Sequence, residues 1–335
     1  MPVYNGEAFM KEAIGSILGQ SFRDFELLVV DDGSTDNTAS VVQSFADSRI
    51  RYEKNETNLK IIQTLNKGLS LAKGKYIVRM DADDIALPDR LEKQVQFMEQ
   101  NPDVVLCGSS INRFSETYSI IDQRGGGDDI VRAKLLFDTA VNHPSAIIRR
   151  SVLLEHHLTY PYEYLHTEDY ALWYDLSQYG KLVNLGAVLL RYRMHGNNLS
   201  MQHSQLQYQN MNRMRLRIMA DFLEKSDIGQ KAKRMEQYCR LLALDKVSIK
   251  EMKAMDQLLM QVILLNKTSK VYDERGLQQS AAWFWYVVFT HENCQRYSWK
   301  MLPAFLWNKH SVVRFLDAPY RKKLLVKSLL RWRKK

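Results

Sequence analysis

Two stretches, VVDDGSTD at residues 29–36 and RMDADD at residues 79–84, decide the fold: each sets a cluster of acids directly after a short β-branched, apolar run. A parallel α/β sheet presents its ligand site at the carboxyl ends of its strands, so acids just after Glu26–Val30 and just after Tyr76–Met80 converge on one crevice. Converging carboxylates without basic partners repel one another unless a divalent cation with a preference for hard oxygen ligands sits between them. In Asp81-Ala82-Asp83 two carboxylates stay within reach of one metal-diphosphate. Taken singly, each cluster also reads as a solvated turn in which Asp and Ser serve as N-caps and Asx-turn residues. Two of them in one strand-end register point instead to nucleotide-diphosphate chemistry.

Working outward, strand and helix signals alternate to about residue 110. Phe9, Ala13, Ile14, Ile17 and Leu18 repeat at helical spacing, and residues 26–31 read as a buried strand. Thr35 or Asp36 caps a helix to about Ala46, residues 51–54 form a strand, and Leu59–Ala72 is an amphipathic helix stopped by Lys73-Gly74. Tyr76–Met80 is the next strand, Pro88 opens a helix to about Gln100, and Val104–Cys107 follows as a strand. This βαβα order predicts a three-layer α/β domain with a mostly parallel sheet. From about 109 to 194 the order is mixed, and Gly125-Gly126-Gly127 marks a flexible loop expected beside the acceptor side. Helical periodicity returns at 206–222, 230–244, 249–266 and 277–289. The expected organisation is a catalytic domain at 1–204, a helical region at 205–308 and a basic amphipathic tail at 309–335.

A length of 335 residues and 45% hydrophobic content support a core and more than one unit. Cys107, Cys239 and Cys294 lack metal-type spacing and cannot all pair, which fits free thiols, read as small buried hydrophobes in a reducing cytosol. No signal-type leader or spanning segment is visible. Residues 291–335 carry 12 Lys and Arg against 2 acids in a chain of net charge +9, so the surplus lies in the tail. Basic residues interleaved with Trp299, Trp307 and Trp332 suit an anionic lipid surface; nucleic acid competes on charge alone and is not expected.

Six co-linear segments carry a resemblance: PVYNGEAF (2–9), QSFRDFELLVVDDGSTDNT (20–38), GKYIVRMDADDIALPDRLEKQ (74–94), HPSAIIRRSVL (143–153), TEDYALW (167–173) and RYRMHGNNLS (191–200). Together they resemble the family 2 glycosyltransferases of the GT-A fold over about the first 200 residues. In that family the Pro-Val-Tyr-Asn segment ends a buried strand. Only three residues precede Tyr4 here, fewer than the usual five or six, so the natural chain is expected to begin upstream.

The resemblance implies a metal-dependent, inverting transfer of a sugar, from a UDP donor onto a cell-surface glycan or lipid-linked acceptor, on the cytoplasmic face of the membrane. It implies that Asp32 contacts the base with Pro2 and Tyr4 packed around it. Asp83 then binds Mn²⁺ or Mg²⁺, while Asp81 with Ala82 contacts the ribose or a metal-bound water. Arg79, two residues before Asp81 on the same strand face, is read as a second positive group, and Asp84, on the other face, as a cap of the following turn. Asp169 is implied as the base, with helix capping as its structural alternative. Glu168, His143 and His195 are expected to reach the acceptor, diphosphate or metal. Arg191 and Arg193 serve either phosphate oxygens or surface ion pairs. Two rivals are a sugar nucleotidyltransferase, for which the expected N-terminal Gly-rich phosphate loop is missing, and a non-catalytic membrane or nucleic-acid adaptor built on the basic tail.

Overall fold

In the computed structural model the described residues are 1–196, 198, 203–243, 248–290, 305, 308 and 310–324. They divide into one unit of residues 1–128 and 139–211 and a second of residues 129–138 and those from 212 onward. The division falls inside the helix Ser204–Ser226, a few residues beyond the boundary expected at 204.

The first unit opens with β1 (Pro2–Val3), α1 (Glu7–Leu18), β2 (Leu27–Asp31), α2 (Thr38–Gln43), β3 (Ile50–Lys54) and α3 (Ile61–Leu71). β1, β2 and β3 form a parallel sheet with Val3 beside Asp31 and Asp31 beside Lys54. β2 is almost wholly buried, as its continuous apolar run requires of a strand covered on both faces. Met10, Ala13, Ile14 and Ile17 of α1 pack with Val3, Leu27 and Val29 into one core.

β4 (Tyr76–Val78), β5 (Ile85–Ala86), α4 (Arg90–Gln100), β6 (Val104–Phe114) and β7 (Ser119–Asp122) follow, then α5 (Asp128–Lys134), β8 (Ile147–Arg149), α6 (Arg150–Glu155), α7 (Glu168–Leu176) and β9 (Lys181–Arg193). Their sheet runs β4-β8-β6-β9-β5 with β7 beyond β6. In it only β6 and β9 are parallel; the other pairs are antiparallel. The parallel order read from the sequence therefore holds in the first half, and the second half is a mixed sheet.

β6 extends seven residues past the expected end at Cys107 because its polar residues are paired inside the protein: Ser109 N–H donates to Ser145 Oγ at 3.2 Å. The glycine run is no flexible loop, since Gly126 forms a two-bond bridge to Asn184 of β9. An apolar cleft of about 690 Å³ lies between β2 and β4, lined by Leu28, Val30, Leu69, Ile77 and Val95 among others.

The second unit is helical, with Lys231–Leu242, Ile249–Ser269 and Glu274–Thr290 as its main described elements. Ser248 and Glu251 form a reciprocal capping box at the start of Ile249–Ser269. Arg215 donates to Phe137 O at 2.6 Å and lies over Phe284, whose ring stacks on Phe137. Cys107 is buried, but Cys239 is exposed rather than a core hydrophobe; Cys294 lies outside the described residues. Leu324, in the tail expected to be amphipathic and to face lipid, is fully buried in the protein. Residues 325–335 of that tail lie outside the described residues.

Candidate active site

The carboxyl ends of β1 and β2 are knitted together. Asn5 N–H donates to Ser34 Oγ at 2.9 Å, Gly6 N–H to Thr38 Oγ1 at 2.8 Å and Glu7 N–H to Asp36 Oδ2 at 3.0 Å. Asp31 is spent on structure, accepting from Ser34 N–H at 2.7 Å and from the Tyr52 hydroxyl. Gly33 has φ +76°, and a Cβ there would sit 3.0 Å from the Thr57 backbone, so glycine alone lets residues 57–58 close over this turn.

Asp32 accepts from Asn55 Nδ2 and Leu59 N–H at 2.8 Å each and from Lys60 N–H at 2.9 Å. Those bonds hold residues 55–60 above the β2 end and leave about one of the carboxylate's four acceptor positions unused. Asp32 N–H in turn donates to Val3 O at 2.8 Å, which sets it beside Tyr4, half exposed at the end of β1. Tyr4 is thus a neighbour of Asp32, whereas Pro2 pairs with Val30 and lines the apolar cleft.

Asp81, Asp83 and Asp84 offer carboxylate oxygens that all lie within 4.8 Å of one another. Each is anchored differently. Arg79 pairs with Asp81, so this guanidinium serves a carboxylate rather than standing ready as a free cation. His195 Nε2 lies 2.8 Å from Asp83 Oδ2. Asp84, read from the sequence as a turn cap, is instead fully buried within the cluster; its Oδ1 accepts from Arg193 N–H at 3.0 Å and its Oδ2 has no hydrogen-bond partner. Burial, then the charges of Asp81 and Asp83, push the Asp84 carboxyl well above the usual range.

Arg193 ties the end of β9 to this loop, donating Nε to Asp83 O at 2.9 Å, pairing with Glu12 and stacking over Phe9 and Phe114. Its fork is engaged by protein groups, and Arg191 lies over Phe114; of the two sequence readings, protein pairing is the one seen for Arg193. Ala82 completes the turn between the two outer acids. Sequence reasoning passed over Arg90, fully buried in α4, whose Nη2 donates to Arg79 O at 2.8 Å. Burial lowers its pKa to about 10 against the pull of Asp84. Its signal was the Pro88-Asp89-Arg90 that begins four residues after Asp84.

On the other side His143 Nε2 lies 2.9 Å from the Tyr160 hydroxyl. Asn66 grips the Tyr160 backbone at both N–H and C=O, at 2.8 and 2.9 Å. Burial, assisted by the Arg79 charge, holds His143 well below its ordinary pKa and therefore neutral. Glu168 and Asp169 open α7. Asp169 Oδ1 accepts from Tyr170 N–H at 2.8 Å. Glu168 is 6% exposed, its Oε2 has no hydrogen-bond partner, and burial followed by the neighbouring Asp169 charge pushes its pKa up to about 7. Arg79 pulls on both His143 and Glu168 as well as Asp81.

The cluster fits a hard divalent cation. It supplies three carboxylates, and a bound positive charge would offset the burial and the neighbouring charges that push the Asp84 carboxyl up.

The profile described as glycosyl transferase family 2 matches residues 1–158, a span that holds Asp32, Asp81, Asp83 and His143 but ends before Glu168 and Asp169. An uncharacterized glycosyltransferase of Haemophilus influenzae is 35% identical over 241 residues, which cover 68% of this chain and 74% of that protein. The UDP-Glc:alpha-D-GlcNAc-diphosphoundecaprenol beta-1,3-glucosyltransferase WfgD of Escherichia coli is 30% identical over 202 residues, covering 60% and 78%. The mannosyltransferase PcManGT of Pyrobaculum calidifontis, solved with GDP-Man and Mn²⁺, superposes with a TM-score of 0.52 at 16% identity over 100% of this chain and 84% of its own. The chain belongs to glycosyltransferase family 2, with a GT-A α/β domain followed by a helical region.

Proposed function

We propose that this protein is a metal-dependent, inverting glycosyltransferase that moves a hexosyl or N-acetylhexosaminyl group from a UDP-sugar to a lipid-linked or growing cell-surface glycan. The observation that carries the reading is the cluster of Asp81, Asp83 and Asp84, whose carboxylate oxygens lie within 4.8 Å of one another directly after β4, with Arg79 paired to Asp81. UDP is favoured over GDP by the donor in WfgD's name at 30% identity, against the GDP-Man complex at 16%.

In this reading Asp32, through its remaining acceptor position, takes the imide N–H of the base, with Pro2 and Tyr4 packed against the ring. Asp83, with Asp81 and Asp84 beside it and His195 on its Oδ2, would hold Mn²⁺ or Mg²⁺, which would neutralise charge on the leaving diphosphate. Asp169 takes the proton from the acceptor hydroxyl as that oxygen attacks the anomeric carbon. Glu168 and His143 line the acceptor side. Because Glu168 carries a proton for much of the time near neutrality, it makes a poor nucleophile, and one displacement with inversion follows. Arg191 and Arg193 fix the loop bearing the acids.

No helix among the described residues is long and apolar enough to cross a membrane. We place attachment to the inner face of the membrane in the basic residues 325–335, drawn by anionic lipid. A screen of nucleotide sugars for release of nucleoside diphosphate tests the whole reading. UDP release with Mn²⁺ and none with chelator supports it; no turnover of any UDP-sugar with lipid-linked acceptors contradicts it.

A further inference from the structure

Immediately before the Thr167-Glu168-Asp169 turn the backbone is in an unfavourable conformation. His166 has φ +67°, the left-handed region that a β-carbon disfavours by about 1 kcal/mol or more. Such a conformation persists only where its surroundings over-determine it. Thr167 N–H donates to Tyr164 O at 2.8 Å from the amino-terminal side. The remaining restraint comes from the start of the helix Ser204–Ser226. Gln207 Nε2 donates to His166 O at 3.1 Å, and Asn210 Nδ2, on a buried side chain, donates to Leu165 O at 2.9 Å. The His203 ring stacks on the His166 ring, centroids 4.4 Å apart and planes 8° from parallel. Positions 203, 207 and 210 are spaced by four and three residues, the spacing of one helix face.

We propose that Gln207 and Asn210 are positioning residues for the transfer, clamping the 164–167 turn so that Asp169 meets the acceptor hydroxyl in register. The helix Ser204–Ser226 thereby contributes to the catalytic centre although the family profile stops at residue 158. Two carbonyls in succession are held by side-chain amides, so the turn cannot rotate without breaking both bonds. Misplacement of a reacting group by about 1 Å is enough to cost about 10²-fold in rate. In the proposed reading the nucleotide and metal contacts, Asp32, Asp81, Asp83 and His195, are not among the residues of this clamp.

The inference rests on the assignment of Asp169 as base, and the test separates the two. Asn210→Asp and Gln207→Glu keep side-chain size and remove the N–H donors; Asn210→Ala and Gln207→Ala serve as controls for packing. Expected for the double donor-loss variant is a kcat lowered about 10- to 100-fold, with donor KM and Mn²⁺ affinity within about twofold of wild type, and faster amide exchange across residues 164–170. Wild-type kcat in a folded Asn210→Asp, Gln207→Glu protein overturns the clamp. So does a lowered kcat with unchanged exchange at 164–170. Wild-type kcat in Asp169→Asn, with exchange at 164–170 still raised in the clamp variants, overturns the base assignment instead.

Discussion

The two halves of the site partner their carboxyls differently. At the strand ends, Asp32 accepts three protein hydrogen bonds, Asp81 pairs with Arg79 and Asp83 with His195, while Asp84 is buried with one unpartnered oxygen and its carboxyl is pushed well above the usual range. On α7, Glu168 is likewise buried with an unpartnered oxygen and holds its proton up to about pH 7. The strand-end cluster crowds three carboxyls within 4.8 Å of one another, a repulsion that a divalent cation offsets. The α7 pair instead sets one carboxyl close to neutral beside Asp169, the proposed base.

If that contrast is right, the largest effect belongs to the strand-end side. Asp83→Ala is expected to lower turnover about 10³-fold, the scale of lost charge stabilisation at a developing anion, and to abolish stimulation by Mn²⁺; UDP release assayed across a metal titration reads both. Asp169→Asn should cost about 10²-fold in turnover, the scale of a lost general base, while UDP affinity stays near wild type by calorimetry. Equal losses of UDP binding in both variants would erase the distinction between the halves.

Glu168 sharpens it through stability. It holds its proton more tightly in the folded protein than its ordinary value of 4.5 allows, so its burial carries no penalty below about pH 4.5, a growing one between there and about pH 7, and a constant one above. Glu168→Gln is therefore expected to leave stability unchanged near pH 4.5 and to raise it by about 2 kcal/mol at pH 8, discounted from roughly 1.4 kcal/mol per pH unit of displacement. Urea melts at the two pH values check this; a stabilisation equal at both would mean that Glu168 is not held neutral. The smallest effect lies far from the chemistry. A chain ending at Leu324 keeps its buried anchor, and loses part of its affinity for anionic vesicles at low salt, at about 1 kcal/mol per basic residue near the surface. Co-sedimentation equal to that of the full chain would leave residues 325–335 without that role.

The donor half was legible in the sequence because each acid follows a strand by a fixed local rule, and strands end where apolar β-branched runs end. Asp32, Asp81 and Asp83 needed no tertiary knowledge. Asp84 was misread for the same reason. Alternation places it on the opposite strand face, but β4 stops at Val78 and the acids sit in a turn, where alternation no longer applies. The sequence ends β6 at Cys107 because Gly108, Ser109 and Ser110 break the apolar pattern, and Ser145, 36 residues away, accepts the Ser109 N–H only within the fold. Arg193 admits both a phosphate contact and an ion pair in the sequence, because charge there does not reveal Glu12 on another element. The Gln207 and Asn210 contacts were equally invisible, since neither residue carries any motif.

The central claim is that the strand-end acids form a cation-dependent UDP site, and calorimetric titration of UDP into the wild-type protein tests it most directly. The account predicts UDP binding at least about tenfold tighter with Mn²⁺ than with chelator, a difference of about 1.4 kcal/mol, and no such difference in Asp83→Ala. The same dissociation constant with and without Mn²⁺ in the wild-type protein would contradict it.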